Sequence, residues 1–228
     1  MKSDAEIFVM MTQDAVPADE FLLEHLLEAL SQEQTAVAYA RQLPAEGCSL
    51  LEGYTRRFNY PGQSAVKTKA DIEKLGLKTF FCSNVCAAYK RSVYEELGGF
   101  IQHTIFNEDM IYAAGAVKQG YAIAYVAEAR VYHSHNYTCG QQFHRNFDLG
   151  VSQADHPEVF ANLPSEKEGK KMVSRTTKAL LKSKKGVWIP YFYLQCAFKY
   201  AGYLLGKHYR SLPGFLVRKC TSNPQYWI

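Results

Sequence analysis

IFVMMTQDAVP, residues 7–17, is the stretch on which the fold turns. Ile7-Phe8-Val9-Met10-Met11 is a short apolar run of the kind that forms a buried strand, and Thr12-Gln13-Asp14-Ala15 ends it. Pro17 then opens a predicted helix. Phe21, Leu22, Leu26, Leu27 and Leu30 recur at helical spacing, and Asp19 and Glu20 lie in its first turn. Working outward, Thr35–Ala40 reads as a second strand. Residues 41–78, with Pro44, Gly47, Gly53, Pro61 and Gly62, read as loop with a short helix near Lys69–Leu75. Lys78–Cys82 is a predicted third strand, ended by Ser83-Asn84. Lys90–Leu97 is a short helix stopped by Gly98-Gly99. Asn107 is a predicted N-cap for a helix that Gly120 stops, and Tyr121–Ala127 and Ala129–His133 read as strands. Strand–helix alternation of this kind predicts an α/β layer fold.

Composition narrows the function classes. The chain has 228 residues, 47% hydrophobic and 21% charged, which is ordinary globular usage and argues against disorder or a fibre. A net charge of +4 is too mild to argue for nucleic acid. The six cysteines form no CxxC pair, which argues against a zinc ribbon or disulfide scaffold and for thiols in a reducing cytoplasm. Neither a secretory signal nor an apolar run long enough to cross a membrane is expected. Past about residue 140 the character changes. Lysines and Arg175 crowd residues 165–185, and residues 188–209 are aromatic and apolar. Two regions follow, 1–145 and a helical, basic and aromatic extension over 146–228. The basic run has no interleaved aromatics, so nucleic acid is again not expected as a partner.

Ligands in open α/β sheets sit beyond the carboxyl ends of the strands. Thr12-Gln13-Asp14, Ser83-Asn84 and His133-Ser134-His135 lie at such ends, and Glu108-Asp109 lies at a helix start. Each has a structural reading. Asp14 suits a turn, Glu108-Asp109 answers a helix dipole, and His133 and His135, two apart on a strand, face one side as core histidines or as ligands. Four such clusters in one chain are harder to explain structurally than any one alone.

The segments FVMMTQDAVP (Phe8–Pro17), FFCSNVCAAYKRSVYEELGGF (Phe80–Phe100), FNEDM (Phe106–Met110), VYHSHNYT (Val131–Thr138) and AFKYAGYLLGKHYRSLP (Ala197–Pro213) together carry a resemblance. The sequence resembles the rhamnosyltransferase-like branch of the family 2 glycosyltransferases, which adopt the GT-A fold. The resemblance implies inverting transfer of a sugar, rhamnose by that branch, from a nucleotide-diphosphate donor to a cell-surface polysaccharide or lipid-linked acceptor. It implies a divalent cation, Mn²⁺ or Mg²⁺, at the DxD-type strand end. Thr12-Gln13-Asp14 stands there, so Asp14 is the one carboxylate ligand, with His133 or His135 completing the site. It makes Asp109 the general base with Glu108 beside it, and Gln13, Ser83, Asn84 and Arg41 contacts to donor or acceptor. A helix N-terminus should hold the Asp109 pKa low.

The resemblance also implies a longer run of βαβ units before the metal-binding strand, where only eleven residues precede Thr12. The expected fold is therefore an incomplete GT-A sheet with helices, plus the C-terminal helical extension. Read so, the chain is N-terminally truncated or completed by an N-terminal half or partner subunit, and alone has little transferase activity. Ile7–Met11, a central strand in the complete fold, would present an open edge. The alternative is a non-catalytic interaction module derived from such a transferase. The basic and aromatic extension is expected on the inner face of a membrane, peripheral to the cytoplasm, or packed back on the sheet as a cap.

Overall fold

The computed structural model describes residues 4–161, 163 and 166–228, the side chains of residues 166 and 167 excepted. Contacts divide the chain into two compact units: residues 1–102 with 108–135, and residues 103–107 with 136–228. Position 145, where composition suggests a boundary, falls inside a helix.

The first unit holds β1 (Ile7–Met11), β2 (Val16–Pro17), α1 (Leu22–Ser31), β3 (Thr35–Leu43), α2 (Leu50–Asn59), β4 (Ala65–Lys67) and α3 (Ile72–Leu75). It continues with β5 (Cys86–Lys90), α4 (Arg91–Glu96), α5 (Glu108–Lys118) and β6 (Ala122–Tyr132). The sheet runs β1-β5-β3-β6-β2, with β4 also paired to β6. β3 and β6 are parallel, whereas β5 is antiparallel to both β1 and β3. It follows that β1, β3 and β6 point the same way. Their carboxyl ends share one edge with the amino end of β5.

Small residues let α1 lie close on one face of this sheet. Leu22, Leu26 and Leu30 pack on Ala38, Ala40, Ala88 and Ala124, burying a stripe one helical turn apart. Phe21 and Leu27 turn outward. The other face is aromatic. Tyr89 is fully buried, stacked on Phe8 and edge-on to Tyr94, Phe100 and Tyr112, an arrangement favoured by ring quadrupoles.

Several expectations are corrected. Residues 78–82 form no strand; residues 76–80 are a 3₁₀ helix, and the strand is β5. The run KTFFC is apolar enough for either, and periodicity cannot separate short buried segments. Pro17 lies in β2, and α1 starts at Leu22 after the Asp19 carboxylate accepts the Phe21 N–H. The supposed loop after residue 41 contains α2, capped by Ser49 Oγ on the Glu52 N–H. Asn107 does stand directly before α5, which starts at Glu108 as expected. It sits at φ +65°, a region Asn tolerates, and its Nδ2 donates to Ser152 Oγ at 3.1 Å. β1 is not the buried strand that its apolar run suggests; it lies at the sheet edge with Val9, Met10 and Met11 exposed, in line with the open edge expected of it.

The second unit holds α6 (Cys139–Asp155), α7 (Pro157–Phe160), α8 (Glu166–Lys182), α9 (Ile189–Lys207) and α10 (Gly214–Cys220). Position 165 and the Lys167 side chain of the basic run lie outside the described residues. Thr138 and Gln141 close a capping box at the start of α6. α6 and α9 meet backbone to backbone. A Cβ at Gly202 would stand 2.2 Å from the Phe143 carbonyl, and one at Gly206 would stand 2.0 Å from that of Phe147. Gly150 answers from α6, where a Cβ would meet the Tyr203 carbonyl at 2.4 Å. Glycines four apart thus serve a close helix crossing within one chain.

Candidate active site

Topology gathers the predicted residues at one edge of the sheet. Asp14 follows β1, Gln42 ends β3 and His133 follows β6. After Asp14 the chain crosses to pair Val16 with Tyr132 at the end of β6, which carries the carboxylate to the histidines. Ser83-Asn84 reaches the same edge for a reason other than the one expected. It precedes the antiparallel β5 rather than ending a parallel strand.

Asp14 Oδ2 lies 3.3 Å from His133 Nε2 and 3.3 Å from His135 Nε2. One ligand atom from each residue falls within 4.8 Å of the other two. Behind His133 stands a buried relay. Gln42 Nε2 donates to Tyr60 Oη at 2.6 Å and Ser83 Oγ at 2.9 Å, so Gln42 Oε1 is left as the acceptor. It accepts from Arg56 Nη1 and from His133 Nδ1, the latter at 2.9 Å. Arg56 is held in turn by Glu52 at 2.5 Å.

This relay sets the tautomer. With the hydrogen on Nδ1, His133 presents a bare Nε2 lone pair to the Asp14 carboxylate, acceptor against acceptor. Protonation is not the easy remedy. Burial, and then the Arg56 charge, push the His133 pKa down to about 4, so the ring is neutral at pH 7. Asp14 is ionised, its pKa lowered first by a hydrogen bond from the Thr12 side chain and further by the two histidines. One carboxylate and two imidazoles with their ligand atoms this close suit a borderline divalent ion such as Mn²⁺ better than Mg²⁺. A ligand histidine whose other nitrogen donates to a fixed carbonyl is the usual supporting arrangement.

The second cluster adjoins the first through consecutive residues. Asn84 donates its backbone N–H to Asp109 Oδ2 at 3.2 Å and its Nδ2 to Glu108 Oε1 at 3.1 Å, and its Oδ1 accepts from Tyr89 at 2.6 Å. Asp109 Oδ1 accepts the Met110 N–H at 2.7 Å. The helix start does not keep Asp109 acidic, contrary to the expectation. Burial first, and then the Glu108 charge, push its pKa up to about 7, outweighing the backbone hydrogen bonds that lower it.

The remaining predicted residues are placed differently. Gln13 is exposed on the turn beside Asp14. Arg41 packs on Gly62, its guanidinium 3.4 Å from where a Cβ would be. Gln42 and Arg56, which the sequence offers only as possible phosphate or acceptor contacts, instead form a relay with Tyr60, which a reading of residues 41–78 as mostly loop does not predict. The i, i+4 pair Glu52/Arg56 on a Ser-capped helix was the available signal.

The edge therefore brings a cation-type cluster and a carboxylate poised near neutrality into one hydrogen-bonded frame, on an α/β layer fold. A family model described as "Glycosyl transferase family 2" matches residues 1–98. The chain is 44% identical over 225 residues to the O-antigen chain rhamnosyltransferase RfbN of Salmonella typhimurium, covering 98% of this chain and 71% of RfbN. It is 42% identical, with the same coverage, to the O-antigen chain rhamnosyltransferase WbaN of Salmonella anatum. The chain belongs to the family 2 glycosyltransferases. Among solved structures, a mannosyltransferase from Pyrobaculum calidifontis, in complex with GDP-Man and Mn²⁺, superposes with a TM-score of 0.52. That match has 15% identity and covers 89% of this chain and 62% of the other, a likeness of fold.

Proposed function

We propose that this chain carries the catalytic edge of an inverting rhamnosyltransferase. It would move rhamnose from a nucleoside-diphosphate donor to a growing cell-surface polysaccharide, lipid-linked during synthesis. The observation that carries the reading is that Ser83 and Asn84, neighbours in sequence, tie the Asp14/His133/His135 cluster to Asp109.

Asp109 takes the acceptor hydroxyl proton as that oxygen bonds to the anomeric carbon. The bond from that carbon to the diphosphate oxygen breaks on the opposite face, and the diphosphate leaves with the electron pair. One base suffices for a single displacement, and a pKa near the working pH is the favourable value for it. Asn84 fixes the Asp109 carboxylate through its N–H and restrains Glu108 through its amide. Asp14, His133 and His135 would hold a divalent cation. When bound, it supplies positive charge to the departing diphosphate oxygens. Gln13, Ser83 and Arg41 are proposed contacts to donor or acceptor.

Work at the cytoplasmic face of a membrane belongs to the same reading. Among the described residues no helix is long and apolar enough to cross a bilayer. α9 nevertheless exposes Tyr191, Tyr193, Phe198 and Tyr200 beside a basic helix. A second reading, a subunit that pairs with another chain, is favoured by the open edge of β1 with its exposed Val9, Met10 and Met11.

The test is a chimera in which this chain replaces the matched segment of RfbN. Rhamnosyl transfer with inverted anomeric configuration by the chimera, lost in its Asp109→Asn form, supports the reading. A folded chimera that transfers equally well with and without Asp109 refutes the base. A folded chimera that transfers nothing favours the pairing reading.

A further inference from the structure

Lys67 is a charge where charge is costly. It ends β4, pairs with Ile123 of β6 and is only 6% exposed. A lysine is rarely buried without a carboxylate to answer it. Among the described residues, the hydrogen-bond partners of this ammonium are neutral oxygens. Nζ donates to Tyr39 Oη at 3.1 Å, to the Lys78 carbonyl at 3.3 Å and to the Phe81 carbonyl. The Tyr39 and Phe81 rings lie beside it, with centroids 4.8 and 5.9 Å away. Burial pulls its pKa down to about 8, so the group is still mostly an ammonium at pH 7.

Tyr39 belongs to β3, the middle strand of the sheet, whereas Lys78 and Phe81 belong to the 3₁₀ helix of residues 76–80 and its C-cap. The Phe81 N–H also returns to the Lys78 carbonyl at 3.2 Å. A helix end leaves carbonyls without partners inside the helix, and Lys67 gathers two of them and pins them to β3. Cys82 follows, wholly enclosed, and then Ser83 and Asn84, which meet Gln42 and Asp109. We propose that Lys67 is a positioning residue for sugar transfer. Its ammonium fixes the Phe81 carbonyl, and so sets where Ser83 meets Gln42 and where the Asn84 N–H meets Asp109. A charged donor holds an oxygen more firmly than a neutral one. Support of the sheet alone would be served at less cost by an apolar side chain. The three hydrogen bonds of Lys67 reach neither the cation-type cluster nor Asp109, so it acts through the segment it holds. The inference rests on the reading of Asp109 as the base.

Hydrogen exchange of the full chain, read amide by amide by NMR, tests this without any need for transfer activity. Lys67→Met keeps the aliphatic stem against the same rings and removes the ammonium. In it the Asn84 N–H should exchange at least about tenfold faster, as its bond to the Asp109 carboxylate loosens. The amides of Ala38 and Ala40 in β3 should keep their wild-type protection. Lys67→Gln, a shorter and neutral donor, should act in the same direction and carries the test if the Met variant does not fold. In the RfbN chimera, Lys67→Met should lower kcat at least about tenfold. It should also move the acid limb of activity to higher pH, because the Asn84 N–H is one of the groups that lower the Asp109 pKa. Wild-type protection of Asn84 in a folded variant overturns the proposal. A loss that spreads equally to Ala38 and Ala40 also overturns it, making Lys67 a prop of the whole sheet. So does faster Asn84 exchange with turnover and pH limb unchanged. Faster Asn84 exchange, where a chimera with Lys67 intact transfers nothing, supports the hold on Asn84 and removes the transferase reading.

Discussion

The two units break the ordinary partition of polar and apolar residues in opposite directions. At the sheet edge, polar groups are buried and answered: Gln42, Ser83 and His133 are almost wholly inside and bound to one another. On α9, apolar groups are outside: Leu194 is 49% exposed and Phe198 39%. Buried polar networks and exposed apolar faces are both costly to keep without a use. We propose that the first holds groups in fixed geometry for chemistry, whereas the second leaves an apolar helix face exposed. Both units build on close backbone packing, through alanines under α1 in one and glycines between α6 and α9 in the other.

The largest expected effect breaks the first half of that contrast. Asp109→Asn should lower turnover of the RfbN chimera at least about a hundredfold while Mn²⁺ affinity, followed by calorimetry, stays unchanged. Loss of both together would mean the two clusters are one cation site. Next, Gln42→Leu should weaken Mn²⁺ binding by about 10- to 100-fold, because His133 loses the carbonyl that sets its tautomer. Unchanged affinity would show that the buried relay supports the sheet and not the ligands.

The second unit is tested by Gly206→Ala. The new Cβ falls 2.0 Å from a backbone carbonyl, so the crossing must open, at about 1–3 kcal/mol or more. Thermal unfolding should show a clear fall. Gly169→Ala, in open space on α8, should stabilise slightly instead. Equal responses at the two sites would deny the close crossing.

The finest test is pH. Asp109 works ionised, so activity should be lost as pH falls through about 7. Glu108→Gln removes a neighbouring negative charge and should move that limb to lower pH. The same raised pKa has the opposite sign for stability. The folded chain holds a proton that the unfolded chain releases near pH 4, so this group's contribution declines as pH rises from about 4 to about 7. An activity limb unmoved by Glu108→Gln would assign it to another group.

Much of the site was legible in one dimension, because the residue types that do chemistry are few and stand at element ends. Asp14, His133, His135, Asn84 and Glu108-Asp109 could be picked from local pattern and resemblance, and they converge. The α1 stripe and the α5 start were legible for the same reason, since helical spacing and an acidic first turn are local properties. What local pattern could not decide was which element an apolar run becomes and which edge a strand faces. KTFFC, read as a strand, is a 3₁₀ turn, and Ser83-Asn84 reaches the site because β5 runs backwards. The Asp109 pKa was misjudged because a helix dipole is visible in sequence, whereas burial is not. The Gln42–Arg56 relay joins residues fourteen apart through α2, and the close crossing of α6 and α9 depends on glycines at both helices. Chemistry resides in side chains, which the sequence states outright. Burial, strand direction and tautomer depend on distant parts of the chain, and those the tertiary structure alone decided.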